Sequence, residues 1–289
     1  MKPAQFEYAR PETVDDAVKL LSSHGGEAKV IAGGQSLMPM LAFRLAAPKL
    51  LVDIGRLDLK RIDISPDGIE IGALVRWRDI ERNGPLARAH PLLAEMVRHV
   101  AHYQIRNRGT VGGSLAHADP AAELPGLALV CDAIITAVGS HGARTIAAAE
   151  FFNGPLTTAL NLDELLISIR LPAWKAHRRW AFEEFARRKG DFALAGVALF
   201  YDMDAQGKTI DPRVGAIGVS STPVRLNQSE AALAGYQVDE ETIARVASLA
   251  ANDLEIHDDI HAPAAYRRAL LKTLVERALR RAAELKEHA

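Results

Sequence analysis

Two short segments that join adjacent glycines to a small hydroxyl residue carry the clearest chemistry in this chain. The first glycine segment is Ala32-Gly33-Gly34-Gln35-Ser36, and the second glycine segment is Thr110-Val111-Gly112-Gly113-Ser114. Glycine lets a backbone approach a phosphate closely and adopt a positive φ, and the hydroxyl of Ser36 or Thr110 offers a further hydrogen-bond donor. The pair predicts two loops that hold one phosphorylated ligand from opposite sides.

Neither glycine segment matches a common nucleotide-binding fingerprint. The dinucleotide fingerprint needs three glycines at Gly-x-Gly-x-x-Gly spacing, and the Walker pattern needs a Gly-Lys-Ser/Thr ending. Adjacent glycines are also typical of ordinary turns. Each segment taken singly is therefore open to a purely structural interpretation, and the glycines leave the ligand unnamed.

Local patterns predict how the first glycine segment is positioned. Thr13 is a suitable N-cap for a helix whose apolar residues recur at helical spacing up to Leu21. The β-branched run at 28–31 predicts a strand that leads into the segment, and 37–41 offers a helix start after it. A further strand is predicted at 50–54. The opening third is thus expected to form a βαβ-like unit.

The remaining patterns predict strands first and helices last. The turn at 65–68 predicts a hairpin, a helix is expected over 92–101, and Pro263 suits the first turn of a long C-terminal helix. Predicted strands lie at 133–138, 144–146, 165–171, 180–185, 195–201 and 214–219. Strands followed by helices are typical of α+β domains.

Composition excludes several function classes. The chain has 289 residues and a formal net charge of -1, which gives no electrostatic attraction to nucleic acid or an anionic membrane. It lacks an apolar run of the roughly 20 residues that a membrane span needs, so a cytoplasmic protein is expected. Cys131 is its one cysteine. Since an iron–sulfur cluster needs about four protein ligands, we predict that Cys131 is a core thiol.

Other candidate constellations are incomplete. His99, His102 and His117 do not supply an evident set of three or four convergent ligands, so no metal site is predicted. No nucleophile elbow accompanies Ser36 or Ser114, and no catalytic residue is assigned. The three tryptophans are interpreted as packing or interface anchors.

Further motifs appear in a fixed order around the glycine segments. Ile105-Arg106-Asn107-Arg108-Gly109 precedes the second segment, Asp119-Pro120-Ala121-Ala122-Glu123 follows it, and Arg187-Arg188-Lys189-Gly190-Asp191 comes later. Together these motifs resemble the FAD-binding medium subunit of molybdenum hydroxylases, the family of the carbon monoxide dehydrogenase medium chain and the xanthine dehydrogenase flavin domain. The resemblance covers essentially the whole chain.

The resemblance implies an α+β fold of two domains. Residues 1–175 would form an FAD-binding domain of the vanillyl-alcohol-oxidase type, with α+β subdomains at about 1–57 and 58–175. Residues 176–289 would form a smaller α+β C-terminal domain.

The resemblance also implies which residues contact FAD. Both glycine segments, with Gly109 before the second, would hold the FAD pyrophosphate, and Glu123 would lie near the ribityl or ribose hydroxyls. Ile105, Leu166 and Ile167 would pack on the flavin or adenine, although plain core packing is an equal alternative for the last two. Glu183-Glu184 stands where the family often has a flavin-contacting lysine, so that contact is not expected.

The implied role is electron transfer within a larger enzyme. Substrate is oxidised at a molybdenum cofactor on a large subunit, and electrons pass through iron–sulfur clusters on a small subunit to FAD on this chain. A dimer of such heterotrimers is expected, and FAD would deliver electrons to oxygen, quinone, cytochrome or NAD. The single cysteine is consistent with this role, because one cysteine cannot bind a cluster and the role places the clusters on another chain.

Two departures bear on the substrate of the whole enzyme. Gln35 replaces a histidine and Ser114 an asparagine that carbon monoxide enzymes tend to have. These differences favour an organic substrate such as an N-heterocycle, a purine alkaloid or an aldehyde. Two alternatives stay open, namely a self-contained FAD oxidase or dehydrogenase and a nucleotide-binding scaffold protein.

Overall fold

A computed structural model describes residues 2–252 and 254–285 of the chain. The chain packs into two compact units. Unit 1 contains the residues up to Asn83 together with His102–Ala118 and Ala133–Pro172. Unit 2 contains Gly84–Ala101, Asp119–Asp132 and the chain from Ala173 onward.

Both units combine helices with strands. The strands are β1 Glu7–Ala9, β2 Ala28–Ile31, β3 Leu50–Asp53, β4 Ile62–Ser65, β5 Gly68–Gly72, β6 Ile134–Gly139, β7 Gly142–Ala147, β8 Phe152–Gly154, β9 Thr157–Thr158, β10 Leu165–Pro172, β11 Arg179–Phe185, β12 Ala195–Met203, β13 Thr209–Ile217 and β14 Val224–Arg225. The helices are α1 Val14–Ser23, α2 Leu37–Ala42, α3 Trp77–Glu81, α4 Gly84–Ala89, α5 Pro91–Val97, α6 Tyr103–Arg106, α7 Val111–His117, α8 Glu123–Val130, α9 Ala148–Phe151, α10 Asn227–Leu233, α11 Glu240–Asn252 and α12 Ala264–Glu284. The predicted α+β class is confirmed.

A small parallel sheet in unit 1 carries the first glycine segment. Its strand order is β1-β3-β2, and β2 pairs with β3 in parallel. The Thr13 side chain accepts a hydrogen bond from the Asp16 N–H and caps α1, as predicted. Ala17, Val18 and Leu21 of that helix are buried in the core shared with this sheet. The segment therefore leaves the end of a half-buried strand that is paired with the buried strand β3, and this pairing fixes its position.

A five-stranded antiparallel sheet completes the framework of unit 1. Its order is β4-β5-β10-β6-β7, and β4 and β5 form the predicted hairpin about the turn at 65–68. Ala73 and Val75, just beyond β5, lie beside the second glycine segment through backbone hydrogen bonds. This sheet thus determines where the second segment lies.

Unit 2 is built on a four-stranded antiparallel sheet in the order β11-β12-β13-β14. Helices α10, α11 and α12 cover this sheet, and the core between them contains Tyr201, Val214, Leu271 and Val275. Pro263 occupies the N-cap position of α12. The helix therefore begins at Ala264, one residue after the proline that was predicted to lie in its first turn. The helix expected over 92–101 ends at Val97.

The compact units differ from the predicted domains. The chain enters unit 2 for the last time after Pro172, close to the predicted limit at 175/176. Two earlier stretches, 84–101 and 119–132, were expected in the FAD-binding domain but pack within unit 2. In α8, Gly126 lies against Ile217 with no room for a side chain. The predicted domain limits themselves stay a prediction.

Among the described residues, no helix combines the length and apolar character needed to cross a membrane.

Candidate functional site

The first glycine segment keeps its backbone N–H groups open. Its carbonyl groups are used internally, because Gly33 O accepts from the Gln35 side chain at 2.9 Å and Gly34 O accepts from the Met38 N–H at 3.0 Å. In the described part of the chain, no hydrogen bond is donated by the N–H groups of residues 33–36. Gly34 adopts φ +73°, a left-handed conformation that glycine accepts without strain. Four successive donors are therefore available to an anion.

The second glycine segment differs because its N–H groups are already bonded. Val111 and Gly112 donate to Val75 O and Ala73 O, each at 2.9 Å. The Gly113 N–H donates to the Thr110 hydroxyl at 3.1 Å, and the Ser114 N–H donates to the Thr110 carbonyl at 3.0 Å. These bonds make residues 111–114 the first turn of α7, capped by Thr110, where a loop was expected.

The two segments consequently have different parts in the site. The first presents donors, whereas the N–H groups of residues 111–114 anchor the second segment to the sheet of unit 1. The open backbone donors thus lie in the first segment, and a two-sided grip on one ligand stays a prediction. Contact of either segment with FAD stays a prediction.

Each segment packs closely on a neighbouring stretch of backbone. A side chain on Gly33 would overlap the carbonyl oxygen of Arg108 and come within 3.0 Å of the Gly109 Cα. A side chain on Gly112 would come within 2.9 Å of the Ala73 Cα. Glycine is therefore required at both positions for close backbone approach, and the stretch just before the second segment supports the first.

A cavity of about 420 Å³ lies against the first glycine segment within unit 1. Sequence reasoning missed four residues of its wall, Ile31, Met38, Pro39 and Arg108, and of these Arg108 is exposed and cationic. Arg108 was visible in the Ile-Arg-Asn-Arg-Gly motif, but only the structure shows it beside the open N–H groups. The remaining lining residues are Ala32, Gly33, Gly34 and Gln35.

The apolar residues expected against the cofactor are mostly structural. The Ile105 carbonyl accepts hydrogen bonds from the N–H groups of Arg108 and Gly109, so it shapes the turn before the second segment. Leu166 is buried, and Ile167 packs against the core beneath the parallel sheet. Both strand residues therefore take part in core packing, the alternative named in the sequence analysis. Their contact with FAD stays a prediction.

Glu123 lies in unit 2, at the first turn of α8. Burial raises its pKa to about 7, and the nearby Asp119 carboxylate adds to the rise. Glu184 of β11 is also in unit 2, and burial together with the charge of Glu123 raises its pKa to about 8. One Glu184 oxygen, Oε2, is buried and has no hydrogen-bond partner among the residues that the structure describes. At neutral pH, Glu184 is therefore mainly a neutral carboxylic acid.

Glu184 also lines a second cavity, of about 430 Å³, within unit 2. Around it stand Arg98, Arg188 and Lys189 as well as His99, whose pKa burial lowers. The sequence marked Glu184 as a departure from the family lysine. The neutral state of the carboxyl group has its cause in burial, which a single sequence does not display.

Cys131 is the core thiol that the sequence predicts. It is 7% exposed, and burial raises its pKa to about 12. The Nδ1 atom of buried His90 accepts from the Leu93 N–H, which leaves the proton on Nε2, 3.8 Å from the Cys131 sulfur. Burial lowers the pKa of His90 to about 3, so this pair is neutral and chemically inert.

Two family models match the chain. The model described as the FAD binding domain in molybdopterin dehydrogenase matches residues 4–174. The model described as the CO dehydrogenase flavoprotein C-terminal domain matches residues 180–282.

Individual relatives match along nearly the full length. The 6-hydroxypseudooxynicotine dehydrogenase complex subunit alpha of Paenarthrobacter nicotinovorans is 40% identical, over 98% of this chain and 96% of that protein. The caffeine dehydrogenase subunit beta of Pseudomonas sp. (strain CBB1) is 36% identical, over 98% and 97%. A solved structure of carbon monoxide dehydrogenase from Hydrogenophaga pseudoflava superposes with a TM-score of 0.95 at 37% identity, covering 98% of this chain and 99% of that one.

Proposed function

Because this chain belongs to the family of FAD-binding medium subunits of molybdopterin hydroxylases, we propose that it passes electrons from iron–sulfur clusters of a partner subunit through FAD to an external acceptor. The chain is an oxidoreductase flavoprotein subunit of a multi-subunit complex. One observation carries the proposal: residues 33–36 have open backbone N–H groups, and Gly33, Gly34 and Gln35 among them line a cavity in the domain that matches the FAD-binding model.

The residues present fit the diphosphate of FAD. The N–H groups of residues 33–36 supply neutral donors, and Arg108 supplies a positive charge beside them. A side chain at Gly33 would overlap the backbone of Arg108, so glycine lets the donors lie directly against the stretch that carries this cation. FAD, when bound, supplies the capacity to accept electrons singly and deliver them singly or in pairs. The chain's own task is to bind and orient it.

The proposed partner subunits carry the iron–sulfur clusters and the molybdenum cofactor, because this chain has no set of cysteines to bind a cluster. A buried thiol with a raised pKa is a poor cluster ligand, and one cysteine is too few. The proposed complex therefore contains a small iron–sulfur subunit and a large molybdenum subunit, assembled as a dimer of heterotrimers.

We infer an organic substrate for the whole enzyme. Of the three similar proteins reported above, two are named for 6-hydroxypseudooxynicotine and caffeine, which are nitrogen-containing organic compounds, and the third is named for carbon monoxide. Gln35 and Ser114 stand where carbon monoxide enzymes tend to have histidine and asparagine, in accord with this inference. An N-heterocycle, a purine alkaloid or an aldehyde is the proposed substrate class, and its oxidation would occur on the large subunit.

The test is purification of the chain from its native source with whatever accompanies it. We expect a flavin absorbance spectrum, release of FAD on denaturation, and two further subunits that carry molybdenum and iron. A colourless chain that does not take up added FAD would contradict the proposal and favour a scaffold protein. A flavin-loaded chain that oxidises an organic substrate without partners would establish the self-contained oxidase or dehydrogenase instead.

A further inference from the structure

Arg108 is the cation that borders the open N–H groups of the first glycine segment. It lines the cavity of about 420 Å³ together with Gly33, Gly34 and Gln35. Its own backbone is fixed, because its N–H donates to Ile105 O at 3.0 Å and its carbonyl packs on Gly33. The side chain therefore starts from a defined point at the wall of the cavity.

The charge of Arg108 is not neutralised within the described part of the chain. Its neighbour Arg106 lies 3.4 Å from a carboxylate oxygen of Glu81, whereas no carboxylate lies within 4.0 Å of the Arg108 guanidinium among residues 2–252 and 254–285. An arginine on the same cavity wall as open N–H groups creates a local positive potential, which attracts an anion.

The wall of the cavity contains no opposing negative charge. None of the described residues that line it is a carboxylate; apart from Arg108 they are apolar, glycine or the neutral Gln35. A diphosphate carries two negative charges, and four neutral N–H donors alone leave those charges uncompensated. A guanidinium forms two parallel hydrogen bonds with phosphate oxygens and so supplies charge and geometry together.

We propose that Arg108 binds the diphosphate of the FAD held by residues 33–36, and that it provides the charge-dependent part of the cofactor affinity. This inference rests on the proposed function, because it takes FAD as the ligand. It assigns to one side chain a role that the glycine segments cannot perform, since backbone N–H groups bring no net charge.

The test compares three variants of the full-length chain. Arg108→Gln removes the charge at similar length, and Arg108→Lys keeps the charge but loses the two-pronged geometry. Arg82→Gln is the matched control, because Arg82 is also an exposed arginine of unit 1 and does not line the cavity. Dissociation constants for FAD and, separately, for inorganic pyrophosphate are measured at low and high salt, and thermal unfolding verifies that each variant is folded.

We expect Arg108→Gln to weaken FAD and pyrophosphate binding by roughly tenfold or more and to reduce the salt dependence of both. Arg108→Lys should fall between Arg108→Gln and the wild type, and Arg82→Gln should match the wild type. Wild-type affinity and salt dependence in Arg108→Gln would overturn the role of Arg108 while leaving FAD binding by the chain intact.

The two probes separate this inference from the proposed function. If the wild type binds pyrophosphate in an Arg108-dependent way but does not bind FAD, the anion site stands and the proposed cofactor is wrong. If the wild type binds neither probe, both the Arg108 role and the FAD site are overturned.

Discussion

The backbone of Gly33 lies against the carbonyl group of Arg108, with no space between them for even a methyl group. The segment that presents open N–H groups is thus supported directly by the stretch that carries the cavity's cation. The two are 75 residues apart in the chain, so their packing is a product of the tertiary fold of unit 1.

Replacing Gly33 by alanine should therefore disturb the fold and the site together. The added Cβ would approach the Arg108 carbonyl carbon to 2.8 Å, so the first glycine segment and the backbone of Arg108 must move apart. We expect a loss of about 1–3 kcal/mol in the free energy of unfolding, measured in urea, together with weaker FAD binding. In the control, Gly154→Ala, the new Cβ meets only the Thr157 Cβ at 3.9 Å, and little change is expected.

Thr110 should stabilise unit 1 through its hydroxyl. The side chain is 5% exposed and accepts the Gly113 N–H at the start of α7. Thr110→Val keeps the shape but removes the acceptor, which should lower the free energy of unfolding by about 1 kcal/mol. Thr110→Ser retains the hydroxyl and should recover most of that loss. Equal destabilisation by valine and serine would show that packing, and not the cap, is responsible.

Glu184 should make the stability of the protein fall as pH rises. Its pKa is about 8 in the folded chain, against an ordinary value of 4.5 for an unfolded one. Between these values the folded state binds more protons than the unfolded state, so the free energy of unfolding decreases with rising pH. We expect Glu184→Gln to gain stability relative to the wild type from about pH 4.5 to about pH 8, with a constant difference above that window.

The matched control for this effect is Glu241→Gln. Glu241 is an exposed glutamate of unit 2, on α11, and it provides the comparison with a surface position that has no buried carboxyl group. Urea unfolding at several pH values measures both variants. A stability difference between wild type and Glu184→Gln that does not vary with pH would contradict a buried neutral carboxyl group.

Cys131 should be unreactive until the chain unfolds. It is buried, and its raised pKa leaves almost no thiolate at neutral pH. A thiol reagent such as Ellman's should find no reactive cysteine in the native full-length chain and one per chain in denaturant. Rapid modification of the native chain would show that unit 2 opens around α8, where the residue is the C-cap.

Sequence patterns predicted the framework well because its signals are local. The Thr13 cap, the strand before the first glycine segment and the hairpin turn at 65–68 depend on residues close in the chain. The helix at the second glycine segment was missed because adjacent glycines normally disfavour helix. In unit 1, bonds to Ala73 and Val75 hold this stretch in place, and such long-range bonds override local propensity.

The charges of the site were harder to predict than its backbone. Arg106 and Arg108 are two residues apart and alike in type, yet only Arg106 is paired with Glu81. Likewise, Glu183 and Glu184 are adjacent, but Glu183 pairs with Arg281 while the Glu184 carboxyl is buried. Pairing and burial arise from the tertiary fold, so the chemical state of these side chains is not visible in a single sequence.

The division of labour between the two glycine segments matters for redesign. Since the N–H groups of residues 111–114 are bound within unit 1, changes there alter the scaffold more than the ligand. To make this subunit accept a different nucleotide, the first segment and Arg108 should be varied. Thr110 and the first turn of α7 should be left unchanged. Tolerance to substitution is thus expected to differ sharply between the two glycine segments, although their sequences are similar.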